Sequence, residues 1–157
     1  INIPSWVKKT PKQLGLDQKD PKTLLLPDGL EVAEKGWFSE TDVERVVVSK
    51  SVRVLGPSLF YGCERLREVV FEPGASLERI REQCFRGCGL EQICLPKSVW
   101  CIEGFSFSGC KKLAQLSFEK RSKLRYVGDM AFRGTQLTPK DVKYPRSLKA
   151  KGHGSEW

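Results

Sequence analysis

The segment from Val43 to Gln136 writes one pattern four times, and that repetition restricts the fold more than any other feature of the chain. In register, VERVVVSKSVRVLGPSLFYGCER (43–65), LREVVFEPGASLERIREQCFRGCG (66–89), LEQICLPKSVWCIEGFSFSGCKK (90–112) and LAQLSFEKRSKLRYVGDMAFRGTQ (113–136) each open on an aliphatic residue and pass through a short alternating run. Each then reaches a Phe with Gly-Cys or Gly-Thr beginning two places on. A repeat of this length denotes a solenoid, in which each copy buries its apolar face against its neighbours. Phe38, Phe60, Phe85, Phe107 and Phe132 are separated by 22, 25, 22 and 25 residues, so the full period is a pair of repeats, 47 residues. One type carries a short turn, as in PKSV (96–99), and the other a longer one, EPGASL (72–77) or EKRSKL (119–124).

Alternation within each copy assigns faces. In LREVVF (66–71), Leu66, Val69 and Phe71 point inward while Glu68 and Val70 point outward. Stacking then predicts one strand per coil in a continuous parallel sheet, with inward ladders Leu24/Val46/Val69/Ile93/Leu116 and Leu26/Val48/Phe71/Leu95/Phe118. The repeat phenylalanines form a third ladder on the opposite wall, and the Gly after each permits the bend back.

Residues 1–22 hold three prolines and no period, and read as an extended N-terminal arm. The solenoid is expected over 23–148, five to six coils. At its start Leu26-Pro27 aligns with Leu95-Pro96 and Phe38 with Phe107, and Ser39-Glu40 stand where later coils carry Gly-Cys. At its end VKYPRSL (142–148) aligns with ICLPKSV (93–99) after two additional residues in Leu137-Thr138-Pro139-Lys140. Residues 149–157 read as a flexible tail. Opening on Ile1 without an initiator Met, the chain is expected to be a processed product or a fragment.

The formal charge of +8 is unevenly placed. Residues 1–100 hold 15 Lys and Arg against 14 Asp and Glu, and residues 101–157 hold 12 against 5. A basic third of this kind raises the odds of an anionic neighbour. Nucleic acid is the weaker expectation, because no run interleaves aromatic with basic residues. No apolar stretch reaches the roughly 20 residues that span a bilayer.

Cys63, Cys88 and Cys110 share one repeat position and are expected as small buried thiols. Adjacent coils lie about 4.8 Å apart, inside the ~7 Å Cα limit for a disulfide, so strand geometry alone does not forbid a bridge. Cys84, Cys94 and Cys101 fit no zinc-ligand spacing. Free structural thiols and the absence of a glycosylation sequon favour an intracellular or organellar compartment, with the cell surface as the alternative. His153 is the single histidine and lies in the tail, so no Ser-His, Cys-His or His-rich metal arrangement can form in the body of the repeats. No catalysis and no cofactor are expected.

The motifs ICLPKSV (93–99), YVGDMAFRGT (126–135) and SLFYGC (58–63) resemble those of the BspA-like, or Treponema pallidum type, leucine-rich repeats, over about residues 23–148. The resemblance implies an α/β-type repeat solenoid, a right-handed leucine-rich-repeat coil with a parallel β-sheet on one face and turns or short helical segments on the other. The family's aliphatic-Gly step is kept at Leu55-Gly56 and Val127-Gly128, but becomes Ile80-Arg81 and Ile102-Glu103. The resemblance also implies recognition rather than chemistry: a non-catalytic protein-interaction module, a scaffold or docking subunit of a larger assembly. A cell-surface adhesin-like receptor is the alternative.

Partner-binding candidates come from the outward strand positions. Leu25, Val47, Val70, Cys94 and Ser117 align as a mostly apolar column, and Arg45, Glu68, Gln92 and Gln115 flank it as a polar rim. Cover by Trp6 and Leu14 of the arm, or the general suitability of β-branched residues for a sheet surface, is the plainer account. The candidate anion site, for a polyanion or RNA, is Lys111, Lys112, Lys120, Arg121, Lys123, Arg125 and Arg133.

Overall fold

The structure, a computed structural model, describes residues 22–154. The arm expected over 1–22 therefore lies outside the described residues except for Lys22. Each of the first five coils contributes a four-residue and then a two-residue strand. In chain order these are β1 (Thr23–Leu26) and β2 (Val32–Ala33), β3 (Arg45–Val48) and β4 (Val54–Leu55), β5 (Glu68–Phe71) and β6 (Arg79–Ile80), β7 (Gln92–Leu95) and β8 (Cys101–Ile102), and β9 (Gln115–Phe118) and β10 (Tyr126–Val127). The sixth coil adds β11 (Ala150–Lys151).

All pairings are parallel. The short strands form one sheet in the order β11-β10-β8-β6-β4-β2, so a second strand per coil exists that the alternation did not announce. Two residues are too few to show a period. This sheet also runs past Leu148 into residues the sequence reading placed in the tail: the N–H of Lys149 and Ala150 donate to the Arg125 carbonyl, and Gly152 donates to that of Val127.

The expected helical segments are absent: among the described residues there is no helix. Two residues of each Phe turn take the left-handed conformation, one two places before the Phe (Ser58, Gln83, Phe105, Met130) and one two places after it (Gly62, Gly87, Gly109, Gly134). A left-handed residue every fourth position leaves only i to i+3 bonds, such as Tyr61 to Ser58 and Cys63 to Phe60, and no right-handed run can propagate.

The four-residue strands hold the expected register, with Val46 opposite Val69, Val48 opposite Phe71, and Ile93 opposite Leu116. They do not make one continuous sheet. β1-β3-β5 and β7-β9 are separate, and a proline marks the strand end at the break. Ser49, Glu72 and Glu119 donate their N–H groups to the carbonyls of Leu26, Val48 and Leu95 in the preceding coil. Pro96 holds that position in the fourth coil and has no N–H for the Phe71 carbonyl. Pro145 holds it in the sixth, where residues 142–144 form no strand beside β9.

The two walls close on a core dominated by the Phe ladder. Successive rings from Phe38 to Phe132 stack at 5.7, 5.5, 5.3 and 5.5 Å, with planes within 17° of parallel. Beside it runs a thiol and hydroxyl column. The Sγ–H groups of Cys63, Cys88 and Cys110 donate to the carbonyls of Phe38, Phe60 and Phe85 at 3.0, 3.1 and 3.0 Å. Thr41 and Thr135 close the column at its ends, each donating to a Phe carbonyl at 2.8 Å. The first coil keeps the expected Phe38 register, but its equivalents of Gly-Cys are Glu40-Thr41, one residue beyond the expected Ser39-Glu40. Glu40, at φ 57, holds the left-handed position of Gly62, and Thr41 that of Cys63.

All six cysteines are free, and only Cys94 is exposed. Burial pushes the thiols of Cys84 and Cys88 well above their ordinary range and that of Cys110 up to about 12. Native protein is expected to react with a thiol reagent at one site, Cys94, and denatured protein at six. Rapid native labelling of two or more thiols would contradict the buried column.

Candidate interaction surfaces

On the wall of four-residue strands, called the large-sheet wall below, the outward positions pair in register within each sheet, and the column is interrupted between Val70 and Cys94. Leu25 pairs with Val47, Val47 with Val70, and Cys94 with Ser117. Leu25, Val47 and Val70 are half-buried, and Cys94 and Ser117 are exposed. Arg45 lies opposite Glu68, and its Nε donates to the Glu68 carboxylate at 2.9 Å. Both ends of that ion pair are open to water, so it contributes no more than about 1 kcal/mol and acts mainly to fix side-chain position.

The proline break divides the predicted residues into two groups. Leu25, Arg45, Val47, Glu68 and Val70 stand on the three-stranded sheet, and Gln92, Cys94 and Gln115 on the two-stranded one. Between them lies a groove of about 400 Å³ lined by Glu68, Val70, Gln92, Cys94, Gln115 and Glu119, among others. The column alone could not reveal this groove; its signal was Pro96, at a strand end where other coils carry a donor. Trp6 and Leu14, the expected cover, lie outside the described residues.

The seven cations of the predicted anion site do not converge. Lys111 and Lys112 precede β9, where the coil enters the large sheet. Lys120, Arg121, Lys123 and Arg125 follow it, where the coil leaves, and Arg133 sits in the Phe turn beside the Met130 sulfur at 3.4 Å. The exit group instead gains cations the sequence reading missed. A second cleft, of about 340 Å³, opens at the Pro145 break between Arg121 and Ser122 on one side and Lys143, Arg146 and Ser147 on the other, with the Glu119 carboxylate also in its wall.

Charge pairing across the stack is concentrated in the first four coils. In the first four coils arginines meet carboxylates across the stack: Arg53 with Glu78 at 2.8 Å, and Arg81 with Glu103 at 2.8 Å, where Arg79 also binds. Burial opposes the Glu103 charge, but hydrogen bonds from Arg81 and Arg79 outweigh it and hold its carboxyl below the usual range. Among the described residues, Lys97, Arg121, Lys123, Arg125, Lys143, Arg146 and Lys149 make no such pair.

Among the described residues no group of three or more His, Cys, Asp or Glu is placed to hold a metal. His153 donates its backbone N–H to the Asp129 carboxylate at 2.6 Å, and among the described residues no nucleophile pairs with its ring. No helix of the described residues is long and apolar enough to cross a membrane.

A family model for the BspA type leucine rich repeat region matches residues 31–153 in six copies. A Treponema pallidum leucine-rich repeat protein is similar in structure at a TM-score of 0.65 and 27% identity, over 84% of this chain and 69% of that one. The pneumococcal vaccine antigen PcpA superposes at 0.71 with 23% identity, over 83% of this chain. The chain spans only 36% of the length of that antigen structure, and the likeness there is one of fold. A leucine-rich repeat protein of Bacteroides capillosus gives 0.55 and 25% identity, over 62% and 77% of the two chains. No curated protein matches the sequence.

Proposed function

The chain belongs to the BspA-type leucine-rich repeat family, and from that premise we propose that it is a non-catalytic protein-interaction module, a scaffold or docking subunit that seats a partner on its large-sheet face. The observation that carries this reading is the in-register column Leu25, Val47 and Val70 on the outward side, continued by the groove beyond Val70. Aliphatic side chains gain about 25 cal/mol for each Å² removed from water, so a partner covering this column draws on burial that the fold alone leaves unused. Arg45 and Glu68, already held to one another, supply directional contacts at the rim. Gln92, Cys94 and Gln115 line the other bank of the groove and contribute amide and thiol contacts rather than charge.

The test compares proteins captured from native lysate by the wild-type chain and by Val70→Lys. The lysine places a charge in the middle of an apolar contact at a half-buried position facing away from the core. Val70→Lys is expected to lose a specific captured partner while circular dichroism and melting temperature stay unchanged. Alkylation of Cys94, which lines the same groove, should reduce capture in parallel. If the same partner is retained by both altered proteins at full yield, the large-sheet face is not the docking surface.

A further inference from the structure

We propose that the short-strand wall of coils four to six binds single-stranded nucleic acid, with Trp100 and Tyr126 stacking on bases and Arg125, Lys149 and Lys123 neutralising phosphates. The site is independent of the large-sheet reading above, because it occupies the other wall of the solenoid.

The residues come from three coils, and backbone hydrogen bonds assemble them. The N–H groups of Arg125 and Tyr126 both donate to the Trp100 carbonyl, at 2.9 and 3.1 Å, and those of Lys149 and Ala150 donate to the Arg125 carbonyl, at 2.9 and 3.1 Å. Trp100, Arg125 and Lys149 thus form one row across the stack, with neighbours about 4.8 Å apart. Tyr126 stands in the adjoining row between Cys101 and Ala150. Lys123 joins from the turn, its N–H bonded to the Lys97 carbonyl at 2.8 Å.

Two properties point to the ligand. Trp100 and Tyr126 are 39% and 38% exposed, and among the described residues only Val32 is another large apolar side chain so open to water. Arg125, Lys149 and Lys123 make no carboxylate pair, whereas Arg53, Arg79 and Arg81 of earlier coils do. Flat rings beside unneutralised cations are what single-stranded binders combine, because every base offers a π face and every linkage a negative charge. Trp100 already takes a planar cation on its ring, with the Arg79 guanidinium 5.7 Å from the centroid. A duplex keeps its base faces inside the stack and would leave the rings idle. The sequence hid this site because no continuous run interleaves these residue types; only the coil register brings position 100 beside 125 and 149.

The test measures fluorescence anisotropy of a labelled 12-nucleotide oligouridylate with the purified chain between 50 and 200 mM salt. Neutralising about three phosphates should weaken binding roughly 20-fold over that range, from a slope near −0.7 per contact. Trp100→Ala and Tyr126→Ala should each weaken binding about fivefold or more, from the stacking contribution of one base. Arg125→Glu combined with Lys149→Glu should abolish it. Tyr126→Ala carries the decision on its own if loss of the Arg79 contact unfolds Trp100→Ala. No binding at 50 mM salt overturns the proposal. So does binding indifferent to the Tyr126 ring, or duplex, heparin or poly-L-glutamate competing as well as the single strand; the last three outcomes identify a surface that reads charge alone.

Discussion

Phe85→Ala is expected to lower the stability of the protein by about 3–5 kcal/mol, a large fraction of the 5–15 kcal/mol typical of a domain. Phe85 is fully buried and stacks on two rings, Phe60 at 5.5 Å and Phe107 at 5.3 Å. Truncation opens a cavity in the middle of the ladder, and the hydrogen-bonded turns above and below restrain its collapse. In a solenoid each coil is stabilised mainly by its neighbours, so a central defect also weakens the coupling between the two halves of the stack. Phe38→Ala is expected to cost less, because Phe38 stacks on one ladder ring only and keeps 7% of its surface in water. Urea unfolding followed by circular dichroism orders the two. A larger loss for Phe38→Ala would mean that the stack does not act as a continuous column.

The phenylalanine spacing made this ladder legible before any coordinates, since a 22/25 alternation leaves no other register for five rings. The inward columns of the large sheet were readable for the same reason: Val46, Val69 and Ile93 precede the repeat Phe of their own coil by 14, 16 and 14 residues, in step with the alternation of coil types. What the pattern concealed was shape at the ends of strands. Pro96 and Pro145 look like ordinary turn residues in PKSV and PRSL, and in a single coil they are. Only when coils are stacked does each become a missing donor to the carbonyl of the coil before. Those two absences coincide with the breaks in the large sheet and with both clefts, one polar and one basic. The Gly-Cys equivalents of the first coil, Glu40-Thr41, were obscured for a related reason. Glu40 holds a left-handed position that Gly occupies in every later coil, and a glycine-based alignment had nothing to match there.

The same stacking logic explains why the basic residues were grouped wrongly from sequence. Lys111 and Lys112 are close in sequence to Lys120 and Arg121, but a strand of the large sheet lies between them. Lys143 and Arg146 are 22 and 25 residues from Arg121, and Lys149 is 24 from Arg125, and nevertheless they sit one coil away. Proximity in a solenoid is set by the coil length, about 22 to 25 residues here, and not by neighbouring positions in the chain.

Gly128→Ala is expected to be the other strongly destabilising substitution, at about 1–3 kcal/mol, and its cause is steric rather than conformational. A Cβ at position 128 would come within 2.4 Å of the Gly104 nitrogen and 2.7 Å of the Glu103 carbonyl carbon, both backbone atoms of the preceding coil. Neither can rotate away as a side chain would. Relief requires coils four and five to separate, which stretches the 2.7 Å bond from the Gly128 N–H to the Ile102 carbonyl. Gly74 supplies the comparison. At φ 77, with open space around its missing Cβ, it resists alanine only through the left-handed penalty of about 1–2 kcal/mol, in a turn free to relax toward solvent. Thermal melts of Gly74→Ala and Gly128→Ala should therefore place Gly128→Ala lower, with the deficit confined to the C-terminal coils in hydrogen exchange. An equal or larger loss for Gly74→Ala would show that turn conformation, and not close contact between coils, sets the demand for glycine at the aliphatic-Gly step.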